Sequence, residues 1–268
     1  RVQRPTLISS ETAVVLDQQP VKGKTNEYET ILETLRALFS GYGRSKMVEM
    51  VTFDAGNTRP EAADYIRSKG AHYFLALRSN QGAIHKMALD EMAQDPGNQA
   101  VYCASEEYNG QTVCYTAWQR DLPGGHSDWA HARQVIRIER VAADDQGVRS
   151  VGNRYFVTSM ERDGLDAKQA VELARAHWRC ENEGHWTCDA IWDEDARRTP
   201  WTTHPDGILN VGLLRAVAIN MLAMLRTLSR VEQADKLIKP SWKTVVEQAL
   251  LVLCEPLLCM EAFNACDE

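Results

Sequence analysis

Residues 177–195 read HWRCENEGHWTCDAIWDED, and this stretch decides the interpretation of the chain. It holds three tryptophans, two histidines and six carboxylates within nineteen residues. Four of its polar residues follow one another at intervals of four: His177, Glu181, His185 and Asp189. On a helix that spacing gives one slowly drifting stripe of metal-capable side chains. We therefore expect a helix with one face packed and the other face available for chemistry.

Length and composition indicate a globular protein with a sizeable core. The chain has 268 residues, of which 44% are hydrophobic and 25% are charged. The most apolar run covers residues 249–258 and is interrupted by Glu255 and Pro256. Because no run approaches the roughly 20 apolar residues that span a bilayer, we expect no membrane segment. The first residues carry no apolar signal sequence.

Charge, cysteine content and missing motifs narrow the classes of function. The formal net charge of −7 argues weakly against nucleic-acid binding by overall electrostatics, but it allows a local basic groove. The seven cysteines include no Cys-x-x-Cys pair, which favours reduced thiols in a cytosol over a disulfide framework or a zinc ribbon. ATP, dinucleotide and serine-hydrolase chemistry lose support because their glycine-rich and nucleophile motifs are absent.

The hydrophobic pattern predicts an α/β fold. In the first hundred residues, strands are predicted over 6–9, 13–16, 47–53 and 71–77, and helices over 26–39, 60–68 and from 82 to about 93. Four further strand patterns follow, over 101–103, 112–118, 133–141 and 154–160, and we interpret them as a β-rich insertion. Helices are predicted over 166–187, 205–229 and 241–264.

Asp54 is the first candidate for chemistry. It follows a predicted strand and stands two residues before Gly56, a usual place for a ligand or catalytic group in an α/β sheet. The alternative is that Asp54 only caps or turns the loop.

Glu181 is the second candidate, in the middle of the polar stripe. The alternative is a surface salt bridge to Arg175 or Arg179. Two carboxylates on different elements suit a Mg²⁺-type site. Two such ions about 4 Å apart activate an attacking oxygen and stabilise a leaving oxygen in phosphodiester transfer.

A zinc site from His177, Glu181 and His185 is a rival interpretation of the stripe, because the spacing of four permits it. However, the His-Glu-x-x-His pattern is absent and Gly184 weakens the helix before His185. The histidines can instead orient neighbouring groups or contact phosphate.

Several ordered motifs resemble the DDE transposases of bacterial insertion sequences, of the H-repeat-associated type. The matching segments are KTNE at 24–27, VTFDA at 51–55, YFLALRSNQ at 73–81, the stretch 177–195 and the helix at 210–222. The resemblance implies an RNase H-like core with a β-rich insertion before the catalytic helix and a helical C-terminal part. In that scheme residues 1–99 are the first part of the core and 100–160 the insertion. Residues 161–230 carry the catalytic helix and complete the core, and 231–268 are the C-terminal helical segment.

The resemblance also implies a function. Asp54 and Glu181 would be the second and third acidic residues of a two-metal site for Mg²⁺ or Mn²⁺. The activity would be metal-dependent DNA cleavage and strand transfer at transposon ends, by a bacterial cytoplasmic protein that does not enter membranes. Double-stranded DNA would be the partner, and a homodimer on paired ends is suggested. The candidate DNA contacts are Arg78, Asn80, Arg175, His177, Trp178, Arg179 and His185.

The chain departs from the family pattern in one respect that matters. The family's first catalytic Asp lies in an Asp-Gly-Lys strand upstream of the segment matching residues 6–9, and these 268 residues do not include it. We therefore expect a core truncated at its N-terminus, with two of three acids. The alternative function is a remnant that binds DNA or protein without cleaving, and a third is an unrelated α/β hydrolase with a metal–carboxylate site.

Overall fold

The computed structural model describes residues 2–3, 5–8, 12–20, 27–45, 47–93, 100–108, 110–122, 129, 131–179, 205–233 and 236–252. Residue contacts divide the chain into two compact units. The first unit comprises 1–3 and 19–183, and the second comprises 4–18 and 184–268. The first unit holds Asp54 and the described beginning of the 177–195 stretch.

The first unit combines strands and helices. Its strands are β1 (Val2–Gln3), β4 (Gln19–Pro20), β5 (Met50–Val51), β6 (His72–Leu77), β7 (Tyr102–Tyr108), β8 (Gln111–Asp121), β9 (Gln134–Asp144) and β10 (Gly147–Thr158). Its helices are α1 (Glu27–Tyr42), α2 (Pro60–Ser68), α3 (Ala83–Ala93) and, within the described residues, α4 (Ala167–Arg179). The α/β class predicted from the sequence is confirmed.

Six of these strands form one mixed sheet in the order β5-β6-β10-β9-β8-β7. β5 and β6 are parallel, and every other neighbouring pair is antiparallel. β7 to β10 are the strands of the predicted insertion, and they continue the sheet that β5 and β6 begin. The boundaries of the four predicted parts stay a prediction.

The sheet is packed on both faces. On one face, helices α1, α2 and α3 bury apolar residues such as Leu35, Ile66 and Ile84 against Tyr73 and Val157. On the other face, α4 packs small side chains against a second cluster that contains Phe74 and Phe156. These two phenylalanine rings stack with centroids 4.5 Å apart. The sheet is therefore the common wall of two cores, and strand alternation sends successive side chains to opposite cores.

Two tight turns close the hairpins of the insertion. Gly110 precedes β8 with φ of +73°, and Gly147 opens β10 with φ of +113°. L-residues with a side chain rarely adopt these angles, so glycine is required at both turns. In the second turn the carboxylate of Asp144 also accepts a hydrogen bond from the backbone N–H of Gln146 at 2.9 Å.

The second unit combines two short hairpins with helices. Its described elements are β2 (Thr6–Ile8), β3 (Ala13–Val15), α5 (Pro205–Leu228), β11 (Val231–Gln233), β12 (Lys236–Ile238) and α6 (242–252). The amide of Asn220 on α5 accepts from the N–H of Val15 and donates to its carbonyl, both at 2.8 Å. A side chain thus replaces a neighbouring strand at the edge of β3. Gly212 allows the same close approach, since a Cβ there would lie 2.0 Å from the amide nitrogen of Gln18.

The expectation about apolar segments needs a correction. Residues Leu209–Leu228 of α5 form a 20-residue helix with a mean hydropathy of 1.5, of which 22% is buried. By length and composition this helix could cross a bilayer, although core helices of globular proteins have the same properties. No uninterrupted apolar run marks this helix in the sequence, because Arg215 and Arg226 lie within it.

Strand lengths also differ from the prediction. β7 extends to Tyr108 and β8, β9 and β10 reach 11 or 12 residues each. Their outer parts carry polar and glycine residues, which hide the strand pattern. The two-residue strands β1 and β4 and the hairpin β11–β12 carry too few residues for a recognisable period.

The phenol of Tyr73 gives a test of the packing. Its hydroxyl is buried and, among the described residues, has no hydrogen-bond partner. Burial, and then Asp64, raises the pKa of Tyr73 above its ordinary value. Because an unpaired buried hydroxyl costs free energy, Tyr73→Phe should raise the free energy of unfolding by about 1 kcal/mol in urea denaturation. Tyr115→Phe is the matched control with the opposite sign, because the Tyr115 hydroxyl donates to Glu106 at 3.2 Å.

The same variant has a predicted pH dependence. The folded state holds the Tyr73 proton more tightly than the unfolded chain does. The free energy of unfolding is therefore unaffected by this group below the unfolded pKa of about 10, and it falls as pH rises above that value. Tyr73→Phe should lack that alkaline loss. A variant that is less stable than wild type at neutral pH would contradict the assignment of an unpaired hydroxyl.

Candidate active site

Asp54 lies where β5 ends, at the side of the sheet covered by α4. Val51 and Phe53 are buried in the core beneath α1 to α3. Since side chains alternate along an extended strand, Thr52 and Asp54 are directed to the opposite face. The backbone carbonyl of Asp54 closes the following turn by accepting from the N–H of Asn57 at 2.8 Å. The turn is thus closed by the backbone of Asp54, and its carboxylate, 52% exposed, makes a different contact.

That contact is with His177 on α4. The imidazole Nε2 lies 3.2 Å from Oδ1 of Asp54, and Nδ1 lies 3.2 Å from the hydroxyl of Thr52. The His177 side chain is only 12% exposed. A neutral ring with its proton on Nε2 satisfies both contacts, because it donates to Asp54 while the Thr52 hydroxyl donates to Nδ1. The imidazole of His177 therefore links α4 to the segment that follows β5.

The loop after Asp54 is held by the segment after β6. Asn80 donates its side-chain amide to the carbonyl of Ala55 at 3.2 Å, and the amide of Gln81 donates to the same carbonyl. The side-chain oxygen of Gln81 accepts from the backbone N–H of Arg78 at 2.6 Å. Asn80, a predicted DNA contact, thus has a structural contact, and its role towards DNA stays a prediction. Gln81 was not singled out from the sequence.

Aromatic and charged side chains meet beside His177. Trp178 stacks on Tyr115 with ring centroids 6.5 Å apart. Arg175 pairs with Glu106, and its guanidinium lies 5.3 Å from the centre of the Tyr115 ring. Burial, and then Glu106, raises the pKa of Tyr115. The sequence predicted roles for Arg175 and Trp178 but not for Glu106 or Tyr115, which lie in strands without a distinguishing motif.

Most of the remaining predicted site residues lie outside the described part of the chain. Glu181, His185 and Asp189 lie outside the described residues, and Arg179 ends the described part of α4. The zinc alternative for the stripe falls there too. In the part of the chain that is described, no three His, Cys, Asp or Glu side chains come together as a metal site.

Among the described residues, Asp54 is the one candidate ligand for a hard divalent cation at this place. Asp54 offers a half-exposed carboxylate, the ligand type that Mg²⁺ prefers. The carboxylate contacts an imidazole, and ligating carboxylates usually carry such an outer hydrogen bond.

Comparison with known proteins identifies the family of the chain. The sequence matches the family described as "Transposase DDE domain" over residues 3–201, which is most of the chain. The chain belongs to the DDE transposase family. The RNase H-like α/β fold predicted from the motifs is thereby confirmed, and the matched region includes both Asp54 and Glu181.

Individual relatives carry transposase names. One is "Putative transposase YncI" of Escherichia coli O157:H7, 28% identical over 202 residues, or 71% of this chain and 49% of that protein. Another is "H repeat-associated putative transposase YhhI" of Escherichia coli (strain K12), 24% identical over 200 residues, or 70% of this chain and 50% of that protein. The chain spans about half the length of these curated relatives.

The loop support gives a prediction for this DDE transposase domain. Gln81→Glu keeps the acceptor for Arg78 but replaces the donor to Ala55 with an oxygen, so two acceptors would face each other. We expect faster hydrogen exchange of the amide of Asn57, measured by mass spectrometry. Gln169→Glu is the control, because the side chain of Gln169 accepts from the N–H of Asp166 and the substitution preserves that acceptor. Unchanged exchange in Gln81→Glu would show that Gln81 does not hold the loop.

Proposed function

We propose that this chain is the catalytic core of a DNA transposase that cleaves and joins phosphodiester bonds at transposon ends with a divalent metal. The contact between Asp54 and His177 carries the proposal. It brings α4, the helix that leads to Glu181, against the carboxylate at the end of β5. Bacterial DNA in the cytoplasm is the proposed substrate, and a homodimer on paired ends remains part of the proposal.

Glu181 is proposed as the second carboxylate of the site. On α4 the residues buried against the sheet include Ala167, Ala170 and Ala174. His177 continues this stripe three residues later, and Glu181 follows after one further turn of four. On a helix that continued past Arg179, this spacing would direct Glu181 to the side on which His177 meets Asp54.

The role of the metal and the roles of the protein groups are distinct. When bound, divalent ions activate the attacking oxygen and stabilise the leaving oxygen. Asp54 and Glu181 would hold them, and His177 would fix the orientation of the Asp54 carboxylate. Phe53 is buried in the core on the opposite face and anchors the end of β5, the kind of support that a catalytic site needs.

Substitution of the two acids tests the proposal. Asp54→Asn and Glu181→Gln should each abolish Mg²⁺- or Mn²⁺-dependent nicking of duplex DNA that carries the terminal inverted repeat, because an amide is a far weaker metal ligand than a carboxylate. The assay uses the chain together with any residues that precede Arg1 in its gene. Asp90→Asn, on the exposed side of α3, is the matched control and should cleave normally.

The outcomes separate the competing functions. DNA binding without cleavage in the wild-type protein would favour the remnant that binds but does not cut. Cleavage that survives Glu181→Gln would remove Glu181 from the site. A thermal melt of each variant shows whether the fold is retained.

His177 has a separate test, because it can position Asp54 or contact DNA. If it positions the carboxylate, His177→Ala should weaken Mn²⁺ binding about 10- to 100-fold, measured by calorimetry without DNA. His177→Gln should recover most of that loss, since its amide nitrogen can reach the place of Nε2 and donate to Asp54. His85→Ala on α3 is the control. Normal Mn²⁺ binding with weakened DNA binding would instead make His177 a phosphate contact, as the sequence predicted.

A further inference from the structure

Three arginines lie on successive strands of the sheet, near the level at which β6 ends, and we call them the arginine row: Arg78, Arg154 and Arg140. Leu77 of β6 pairs with Tyr155 of β10, so Arg78 and Arg154 occupy the next register position opposite each other. The backbone of Arg78 is extended, with φ of −138° and ψ of 177°, which continues the strand direction. Arg140 of β9 pairs with Gly152, two residues from Arg154 on β10.

The row faces α4. Phe156, two residues after Arg154, and Ile138, two residues before Arg140, both belong to the core that α4 covers. Side chains two apart on a strand share a face, so both arginines are on this face. The guanidinium of Arg154 lies 4.4 Å from the centre of the Trp178 ring on α4. An arginine held by a ring in this way keeps its charge, and its N–H groups can still bind an anion.

The row begins beside Asp54. β5 and β6 are parallel neighbours, with Val51 opposite Tyr73. Asp54 and Arg78 therefore both lie just after the C-terminal ends of adjacent strands. β10 and β9 are the next strands in the sheet. With strands about 4.8 Å apart, the distance from β5 to β9 is about 14 Å. DNA carries one phosphate per about 3.4 Å of axis on each strand, so this width spans several phosphates.

The arginines of the row contact neutral groups, and the Tyr115 hydroxyl stands between Arg140 and the carboxylate of Glu106. Within the described residues, no ion pair is formed by any of the three arginines. Arg140 lies 3.5 Å from the hydroxyl of Ser150, and Arg154 rests on a ring. On the opposite face of the sheet, Arg137 pairs with Glu139 at 3.3 Å. Arginines opposite each other on neighbouring strands repel each other, which destabilises the sheet. A polyanion bound between them would reduce this repulsion.

We propose that the arginine row binds the phosphodiester backbone of duplex DNA beside α4, where Arg78 and Arg154 are exposed, on a path that leads to Asp54. The inference rests on the proposed function, since it assigns the path of the DNA next to the proposed site. Arg78 was a candidate from the sequence, whereas Arg140 and Arg154 follow from the register of the sheet.

Salt dependence of binding tests the row without requiring cleavage. Binding of a fluorescent duplex of arbitrary sequence is followed by anisotropy in EDTA at several salt concentrations, with the full chain. Arg78→Ala, Arg140→Ala and Arg154→Ala should each lower the slope of log K against log salt by about one, because each phosphate contact releases counterions. Arg154→Lys keeps a charge and should keep the slope.

Arg137→Ala is the matched control. Its guanidinium also stacks on a tryptophan, 4.3 Å from the centre of the Trp118 ring, but on the other face of the sheet. It should leave the slope unchanged. Equal effects of Arg137→Ala and Arg154→Ala, or no change in slope for the row variants, would overturn the inference.

The outcomes also distinguish this inference from the proposed function. If the wild-type protein binds DNA and Asp54→Asn abolishes cleavage while the row variants bind normally, only the arginine row fails. If the wild-type protein does not bind duplex DNA at all, the proposed DNA partner and the row fail together. Circular dichroism melts of the variants confirm that each one is folded.

Discussion

The packing of α4 on the sheet is the constraint on which the candidate site depends. Ala167, Ala170 and Ala174 let this helix approach the strands closely, because their side chains are small and almost fully buried. His177 and Trp178 follow Ala174 by three and four residues, so they continue the same face of the helix. An apolar stripe thus aims two polar aromatic side chains at the sheet. The imidazole then meets Asp54 through Nε2 and Thr52 through Nδ1.

The position of Asp54 depends on the opposite core. Val51 and Phe53 are anchored beneath α1 to α3, and strand alternation turns Thr52 and Asp54 towards α4. A shift of one residue would turn the carboxylate into an apolar core, which desolvation forbids. The two cores therefore fix the two partners of one hydrogen bond, each from its own side. The amide contacts from the segment after β6 hold the loop that follows.

Local patterns predicted much of this arrangement, and long-range contacts account for what they missed. Apolar periodicity located α1, α2, α3 and β6, and the place of Asp54 after a strand marked it as a candidate. The Thr52–His177 contact joins residues 125 positions apart, so no local pattern announces it. Glu106, Tyr115 and Arg154 belong to strands whose polar residues look ordinary until the strand register brings them together beside α4. Glu181 became a candidate from its spacing on the stripe, and its role rests on family resemblance together with the direction of α4.

The pleat of the sheet also explains how an acidic chain can offer a surface to a polyanion. Arg137 and Glu139 share one face of β9 and neutralise each other, whereas Arg140 on the same strand is turned to the α4 face. Because side chains alternate, one face of β9 carries an ion pair and the α4 face carries Arg140 without an ion pair among the described residues. At physiological salt, carboxylates farther away than about 8 Å are largely screened when they are exposed. A phosphate near the arginine row is therefore attracted mainly by the arginines beside it. The net charge of −7 is the sum over the whole chain and does not determine this local attraction.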